Sequence, residues 1–200
     1  MIVKLRQNNE VKMIKSQVKL NVPNLISLSR LLSVPFAVWL IINDELLICF
    51  WILVYAGVSD AVDGFIAKRY NLSSKLGGYL DPIADKALLI SVFISLGYTG
   101  YLYSWLILIV VFRDILILLG ALIYHLMYQD LVIEPLVISK INTTVQFILL
   151  AVIIGFNGFN FKGSVFIDVL IYTTAFTTLS SGAAYVYTWG GKVARKETGD

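Results

Sequence analysis

Four aspartates, Asp60, Asp63, Asp81 and Asp85, carry the clearest chemical potential in this chain, because they interrupt stretches otherwise made of Leu, Ile, Val, Ala and Gly. Spacings of three and four residues place each pair on one face of a helix. Two helices joined by a short loop are expected to be antiparallel neighbours, which would bring both pairs to one level. Four carboxylates that close cannot all stay ionised without a cation among them. Oxygen-only ligands favour a hard ion, and four of them suit two Mg²⁺ or Mn²⁺ ions. Gly64 and Ala67 follow Asp60 at one and two helical turns, and Gly77 precedes Asp81 by one turn. Such small side chains leave room for a bulky group beside the metals, or let two helices pack closely.

The elements that must hold these acids read as membrane spans. The 200 residues are 58% hydrophobic and only 14% charged, with mean hydropathy +0.80. A soluble domain would carry roughly 25% charged residues. Six apolar stretches are long enough to cross a bilayer: 24–43, 46–67, 79–98, 104–127, 139–157 and 164–189. The fold class is therefore an all-α membrane protein of six transmembrane helices, with a basic juxtamembrane segment over 1–20, one helical domain over 21–190 and a tail over 191–200. Lys4, Arg6, Lys12, Lys15 and Lys19 suit an amphipathic helix lying in the membrane interface, a partly disordered basic tail being the alternative. Lys68, Arg69 and Lys75 share their side of the membrane with the basic N-terminus and with Lys192, Arg195 and Lys196. The positive-inside rule then puts both termini and the 68–78 loop in the cytoplasm.

Arg30, Lys86, Arg113, Asp114 and Lys140 are the other charged residues within the apolar segments. Facing lipid, each would cost a few kcal/mol or more, so each should face a partner or a polar cavity. An ion pair such as Asp114 with Lys140 would satisfy this without any active site. No basic and aromatic run suggests nucleic acid. The single Cys49 excludes an intramolecular disulfide. Tyr98, Tyr101, Tyr103 and Trp105 read as an interfacial aromatic belt at the outer side.

The stretch from Asp60 to Asp85, DAVDGFIAKRYNLSSKLGGYLDPIAD, resembles the signature of the CDP-alcohol phosphatidyltransferases, D-x-x-D-G-x-x-A-R-x8-G-x3-D-x3-D. Every fixed position matches at the right spacing except one, where Lys68 replaces the usual Arg. The resemblance extends through NVPNLISLSRLLSVPF, FRDILIL and ISKINTTVQFIL and covers most of residues 22–190. It implies six transmembrane helices, usually in a homodimer, and an active site open to the cytoplasm. Asp60, Asp63 and Asp81 would hold the metals, with Asp85 close to them and acting as general base. Gly64, Ala67 and Gly77 would leave room for the cytidine of CDP-diacylglycerol. Lys68 would sit near its phosphates without the fork of an Arg, and Asn24 and Ser74 are further polar candidates.

The acceptor alcohol must be read from cations outside the signature. Phosphatidylglycerophosphate synthases tend to carry R-E-x6-R and G-K-x-K-T patterns, which would suit the phosphate dianion of glycerol 3-phosphate. Here Arg113-Asp114 has no second Arg after it, and the later stretch reads Ser139-Lys140-Ile141-Asn142-Thr143. Phosphatidylglycerol carries one phosphodiester charge, for which Arg30, Arg113 and Lys140 form the candidate site. The late helices also resemble the eukaryotic-type cardiolipin synthases of the same family. The expected reaction joins CDP-diacylglycerol and phosphatidylglycerol to give cardiolipin and CMP; glycerol 3-phosphate as acceptor is the alternative. A cation channel or transporter would spread its acids through the membrane depth, whereas these gather near one side. A scaffold keeping the motif for packing alone would show no activity at all. The absence of a Ser/Arg-rich leader points to a bacterial cytoplasmic membrane.

Overall fold

The structure, a computed structural model, describes the backbone of residues 22–70, 77–128, 137–161 and 163–197, with side chains for 25–59, 62, 83–120, 137–161, 163 and 165–188. The described residues form six helices and no strand: α1 Val22–Ile42, α2 Leu46–Tyr70, α3 Gly77–Tyr98, α4 Ser104–Tyr128, α5 Val137–Gly158 and α6 Ser164–Glu197. Each apolar stretch of the sequence becomes one helix. A helix satisfies its own backbone hydrogen bonds, which a segment immersed in hydrocarbon requires. Leu25–Ile42, Val137–Gly158 and Val165–Thr188 are long and apolar enough to cross a membrane, and Leu46–Ser59 is a shorter apolar stretch. The proposed interfacial helix over residues 1–20 lies outside the described residues.

The chain divides into two compact units, Met1–Phe36 with Val54–Leu88, and Ala37–Leu53 with Leu89–Asp200. In the first unit, α1 exposes Leu25, Leu28, Leu32 and Phe36 along one stripe and buries Ser27 and Arg30. That polarity is inverted relative to a water-soluble helix, as lipid-facing apolar side chains require. The Ser29 hydroxyl shares a hydrogen bond of 3.0 Å with the Tyr55 hydroxyl, tying α1 to α2. Ala84 and Leu88 of α3 are buried, and Ile83 is exposed.

In the second unit, α5 buries one stripe of Asn142, Gln146, Leu149, Leu150, Ile153 and Ile154. Leu106 and Val110 of α4 and Ile171, Ala175 and Tyr185 of α6 are also buried. Leu108, Phe112, Tyr172 and Phe176 are exposed. Short turns close the α1–α2 and α5–α6 hairpins in the same way. Asp44 adopts φ 63° and Asn160 φ 57°. Glu45 N–H donates to Leu40 C=O at 2.9 Å and Phe161 N–H to Phe156 C=O at 2.8 Å. Both are Schellman ends, in which a left-handed Asp or Asn lets the next amide reach back over the last turn. The Tyr101 hydroxyl donates to the Asp44 carboxylate, which together with partial burial raises the phenol above its ordinary pKa.

Aromatic side chains gather in two clusters. Trp105 stacks with Tyr103 at 6.5 Å and with Tyr172 of α6 at 6.3 Å between ring centroids. A second cluster surrounds the α5–α6 turn, where Phe159 meets Phe50 at 5.6 Å and Phe156 meets Phe166 at 6.1 Å.

Gly158 is where α5 touches the start of α2. A Cβ there would lie 2.8 Å from the backbone nitrogen of Leu47 and 3.0 Å from its Cα. Backbone cannot step aside, so Gly158→Ala should destabilise the protein by about 1–3 kcal/mol, as overpacking does. At Gly155 the nearest atoms belong to the Phe50 ring, at 3.0 Å, which can turn. Thermal unfolding in detergent should therefore show a clear loss for Gly158→Ala and a smaller one for Gly155→Ala. Equal melting points for Gly158→Ala and wild type would contradict the close approach.

Candidate active site

Asp60 and Asp63 fall within α2, and Asp81 and Asp85 within α3, so the spacings of three and four are helical spacings as expected. Gly64, Ala67 and Lys68 also lie in α2, and Gly77 is the first residue of α3. The side chains of Asp60, Asp63, Ala67, Lys68 and Asp81 are outside the described residues, as is Ser74 altogether. Among the described residues no group of three or more His, Cys, Asp or Glu is placed to hold a metal ion. Three of the four acids are not in that set. The donor chemistry fits a hard divalent cation, since all four candidates supply carboxylate oxygen.

Asp85 is described, and its partner is Arg30. The guanidinium Nη1 of Arg30 donates to Oδ1 of Asp85 in an ion pair between α3 and α1. The Arg30 side chain is 1% exposed and that of Asp85 35%. Arg30 was expected among the acceptor-phosphate cations, and one of its partners is Asp85, 55 positions away in sequence, which no local spacing reveals.

Arg113, 3% exposed, lies in a polar seam among α4, α5 and α6. Its Nη1 donates to Asp114 at 2.6 Å, and its Nη2 donates to the hydroxyls of Ser139, at 2.7 Å, and Ser181. Asp114 was expected to pair with Lys140. The structure pairs it with its own neighbour Arg113, whose long stem lets the guanidinium turn back, while Lys140 is exposed. The seam continues along α5 to Asn142, whose Oδ1 accepts from Thr177 and Thr178 of α6 at 2.9 Å each. Gln146 follows one turn further and is fully buried. Among the described residues the Nε of Arg113, the Nδ2 of Asn142 and both amide atoms of Gln146 have no hydrogen-bond partner. Asn142, Gln146, Thr177, Thr178 and Ser181 were not among the expected site residues. Their signal was available: polar residues recur at 139, 142 and 146 in one apolar helix and at 174, 178 and 181 in another. Such residues face a neighbouring helix and not lipid.

The profile of the CDP-alcohol phosphatidyltransferases matches residues 20–189. The cardiolipin synthase (CMP-forming) of Rattus norvegicus is 32% identical over 192 residues, covering 87% of this chain and 63% of the relative. A probable cardiolipin synthase (CMP-forming) of Drosophila melanogaster is 34% identical over 183 residues, covering 84% of this chain and 57% of that protein. A chloroplastic CDP-diacylglycerol–glycerol-3-phosphate 3-phosphatidyltransferase of Oryza sativa subsp. japonica is 35% identical over 184 residues, covering 83% and 56%. The chain thus spans a little less than two thirds of the length of these relatives.

Proposed function

Because the chain belongs to the CDP-alcohol phosphatidyltransferase family, we propose that it transfers the phosphatidyl group of CDP-diacylglycerol to a hydroxyl of phosphatidylglycerol, giving cardiolipin and CMP. The observation that carries the reaction class is the signature itself, with its acids at helical spacing on α2 and α3. Asp60, Asp63, Asp81 and Asp85 would hold two divalent cations, Mg²⁺ or Mn²⁺. Bound there, such ions would neutralise the pyrophosphate and the charge on departing CMP. Gly64, Ala67 and Gly77 leave space for the cytidine, with Lys68 and Ser74 near its phosphates. Asp85 takes the proton of the acceptor hydroxyl. The hydroxyl oxygen bonds to the lipid-bearing phosphorus, and the bond from that phosphorus to the CMP oxygen breaks. General-base assistance contributes typically about 10²–10⁴-fold, so positioning and charge neutralisation must supply the remainder.

The acceptor is assigned from the cations. Relatives named for both acceptors match this chain to similar degrees, so identity alone does not choose. Arg113 is largely engaged by Asp114 and two serines, and the second Arg and second Lys suited to a phosphate dianion are missing from the sequence. Arg113 and Lys140 suffice for a phosphodiester. We place the enzyme in a bacterial cytoplasmic membrane as a six-span homodimer, with both termini and the active site cytoplasmic.

Purified protein with CDP-diacylglycerol and Mn²⁺ or Mg²⁺ should release CMP at least about tenfold faster with phosphatidylglycerol than with glycerol 3-phosphate, a difference of about 1.4 kcal/mol in the barrier. Faster turnover with glycerol 3-phosphate would instead select the phosphatidylglycerophosphate synthase reading, which the rice relative favours.

A further inference from the structure

Ser139, Asn142 and Gln146 recur at intervals of three and four, so they share one face of α5. Thr177, Thr178 and Ser181 of α6 meet that seam. Ser139 and Ser181 both accept from Nη2 of Arg113. Asn142 and Thr178 stand one turn along their helices from those serines, about 5 Å away, so Asn142 occupies the layer next to the guanidinium. Its Oδ1 accepts from the hydroxyls of Thr177 and Thr178 at 2.9 Å each, which uses both lone pairs of that oxygen. The two bonds fix the amide plane and turn Nδ2 away from both threonines. Nδ2 has no hydrogen-bond partner among the described residues, and the side chain is wholly buried. An enclosed N–H without an acceptor is unfavourable, and more so in an apolar helix bundle than at a wet surface. The Nε of Arg113, in the adjoining layer, is without a partner too. The seam opens at half-buried Ser139, beside exposed Lys140, which is the single charged residue of α5.

Resting on the reading of phosphatidylglycerol as acceptor, we propose that Asn142 is a specificity-determining residue: its Nδ2 donates to an oxygen of the acceptor's phosphodiester, and its neutrality excludes a phosphate monoester. The two threonines decide which end of the amide faces the ligand. A free Oδ1 would meet phosphate oxygens and repel them. Held by two hydroxyls, it leaves only N–H groups to be offered. Charge decides the rest. Arg113 already faces Asp114 at 2.6 Å, and Lys140 adds one positive charge at the mouth of the seam. One such charge, with neutral donors behind it, matches a phosphodiester monoanion. A monoester carries about −1.5 to −2 at pH 7, and in a buried seam the unmatched part keeps its desolvation cost. A Lys at position 142 would supply the second cation, with the oxygens of Thr177 and Thr178 to receive its ammonium. Gln146 stands about 10 Å along α5 from Ser139, beyond reach of an anion held at the mouth.

The test uses the full chain in nanodiscs, comparing wild type with Asn142→Leu, Asn142→Lys and Gln146→Leu. CMP release is followed with phosphatidylglycerol or glycerol 3-phosphate as acceptor. Inhibition by glycerophosphoglycerol, the headgroup phosphodiester without acyl chains, reports headgroup binding alone. Asn142→Leu should raise the KM for phosphatidylglycerol and the inhibition constant of glycerophosphoglycerol together, by about 10–100-fold, as loss of a hydrogen bond to a charged group does. The KM for CDP-diacylglycerol should not change. Thr177 already shares its hydroxyl with the Thr174 carbonyl at 3.1 Å, so the fold tolerates the loss of Oδ1. Asn142→Lys should raise the ratio of kcat/KM for glycerol 3-phosphate to that for phosphatidylglycerol by at least about tenfold, since a charged donor replaces a neutral one. Gln146→Leu disturbs the same seam deeper down and should leave that ratio unchanged. An unchanged inhibition constant in folded Asn142→Leu would overturn the proposal. So would an acceptor ratio moved as far by Gln146→Leu as by Asn142→Lys, which would make selectivity a matter of seam packing. Where Asn142→Lys does not fold, the inhibition constant of Asn142→Leu still decides. A wild type that prefers glycerol 3-phosphate is a different failure, since it removes the acceptor reading itself before any variant is compared.

Discussion

Asp63→Asn should lower the rate of CMP release by about 10³-fold or more. Asp63 sits in the C-terminal third of α2, three residues after Asp60, and both are assigned to the same cations. An amide keeps the oxygen and the shape but loses the charge, and affinity for hard divalent cations depends on the number of charged ligands. Charge neutralisation of a transferring phosphoryl group is worth several kcal/mol. At about 1.4 kcal/mol per factor of ten, losing most of it gives the stated fall. Mn²⁺ affinity should fall with it by at least about tenfold, and excess Mn²⁺ should restore part of the rate. A wild-type rate in Asp63→Asn at saturating substrates would take Asp63 out of the site.

Asp63 and Asp85 mark how far the sequence alone reaches. Helix positions were legible because hydrocarbon allows an isolated segment almost no other backbone state. The stretches 104–127 and 139–157, for example, correspond to α4 Ser104–Tyr128 and α5 Val137–Gly158. The hairpin ends were partly legible. Asn43-Asp44-Glu45 marks a turn, but that Asp44 itself takes the left-handed conformation depends on which amide reaches back. Pairings of the buried charges were not legible. Asp114 was matched with Lys140 on charge alone, yet it pairs with adjacent Arg113 because a long flexible side chain escapes the spacing rule for helix faces. Arg30 and Asp85 meet only through the packing of α1 on α3, which no local pattern encodes. The polar ladder of Ser139, Asn142 and Gln146 was visible as periodicity but went unread beside the stronger signal of the acids.

That ladder sets the second large effect. Asp114→Leu alone should destabilise the protein by about 3–5 kcal/mol, because it leaves the buried guanidinium of Arg113 without its charged partner. The double variant Arg113→Leu/Asp114→Leu should cost much less, since an apolar pair of similar size can replace a buried ion pair nearly neutrally. The residual cost is the loss to Ser139 and Ser181, whose hydroxyls now accept from Arg113. Unfolding of the single and double variants in bicelles should give a coupling energy of about 2–3 kcal/mol. Additive losses would mean that the pair does not act as a unit. The folded double variant also separates packing from catalysis. Nη1 and Nη2 of Arg113 are already engaged, so an acceptor phosphate would have to take Nε or displace the serines. If Arg113 serves the acceptor in that way, the double variant should show a KM for phosphatidylglycerol raised about tenfold and an unchanged KM for CDP-diacylglycerol. An unchanged KM for both substrates would confine Arg113 to holding α4, α5 and α6 together and leave the phosphodiester to Lys140.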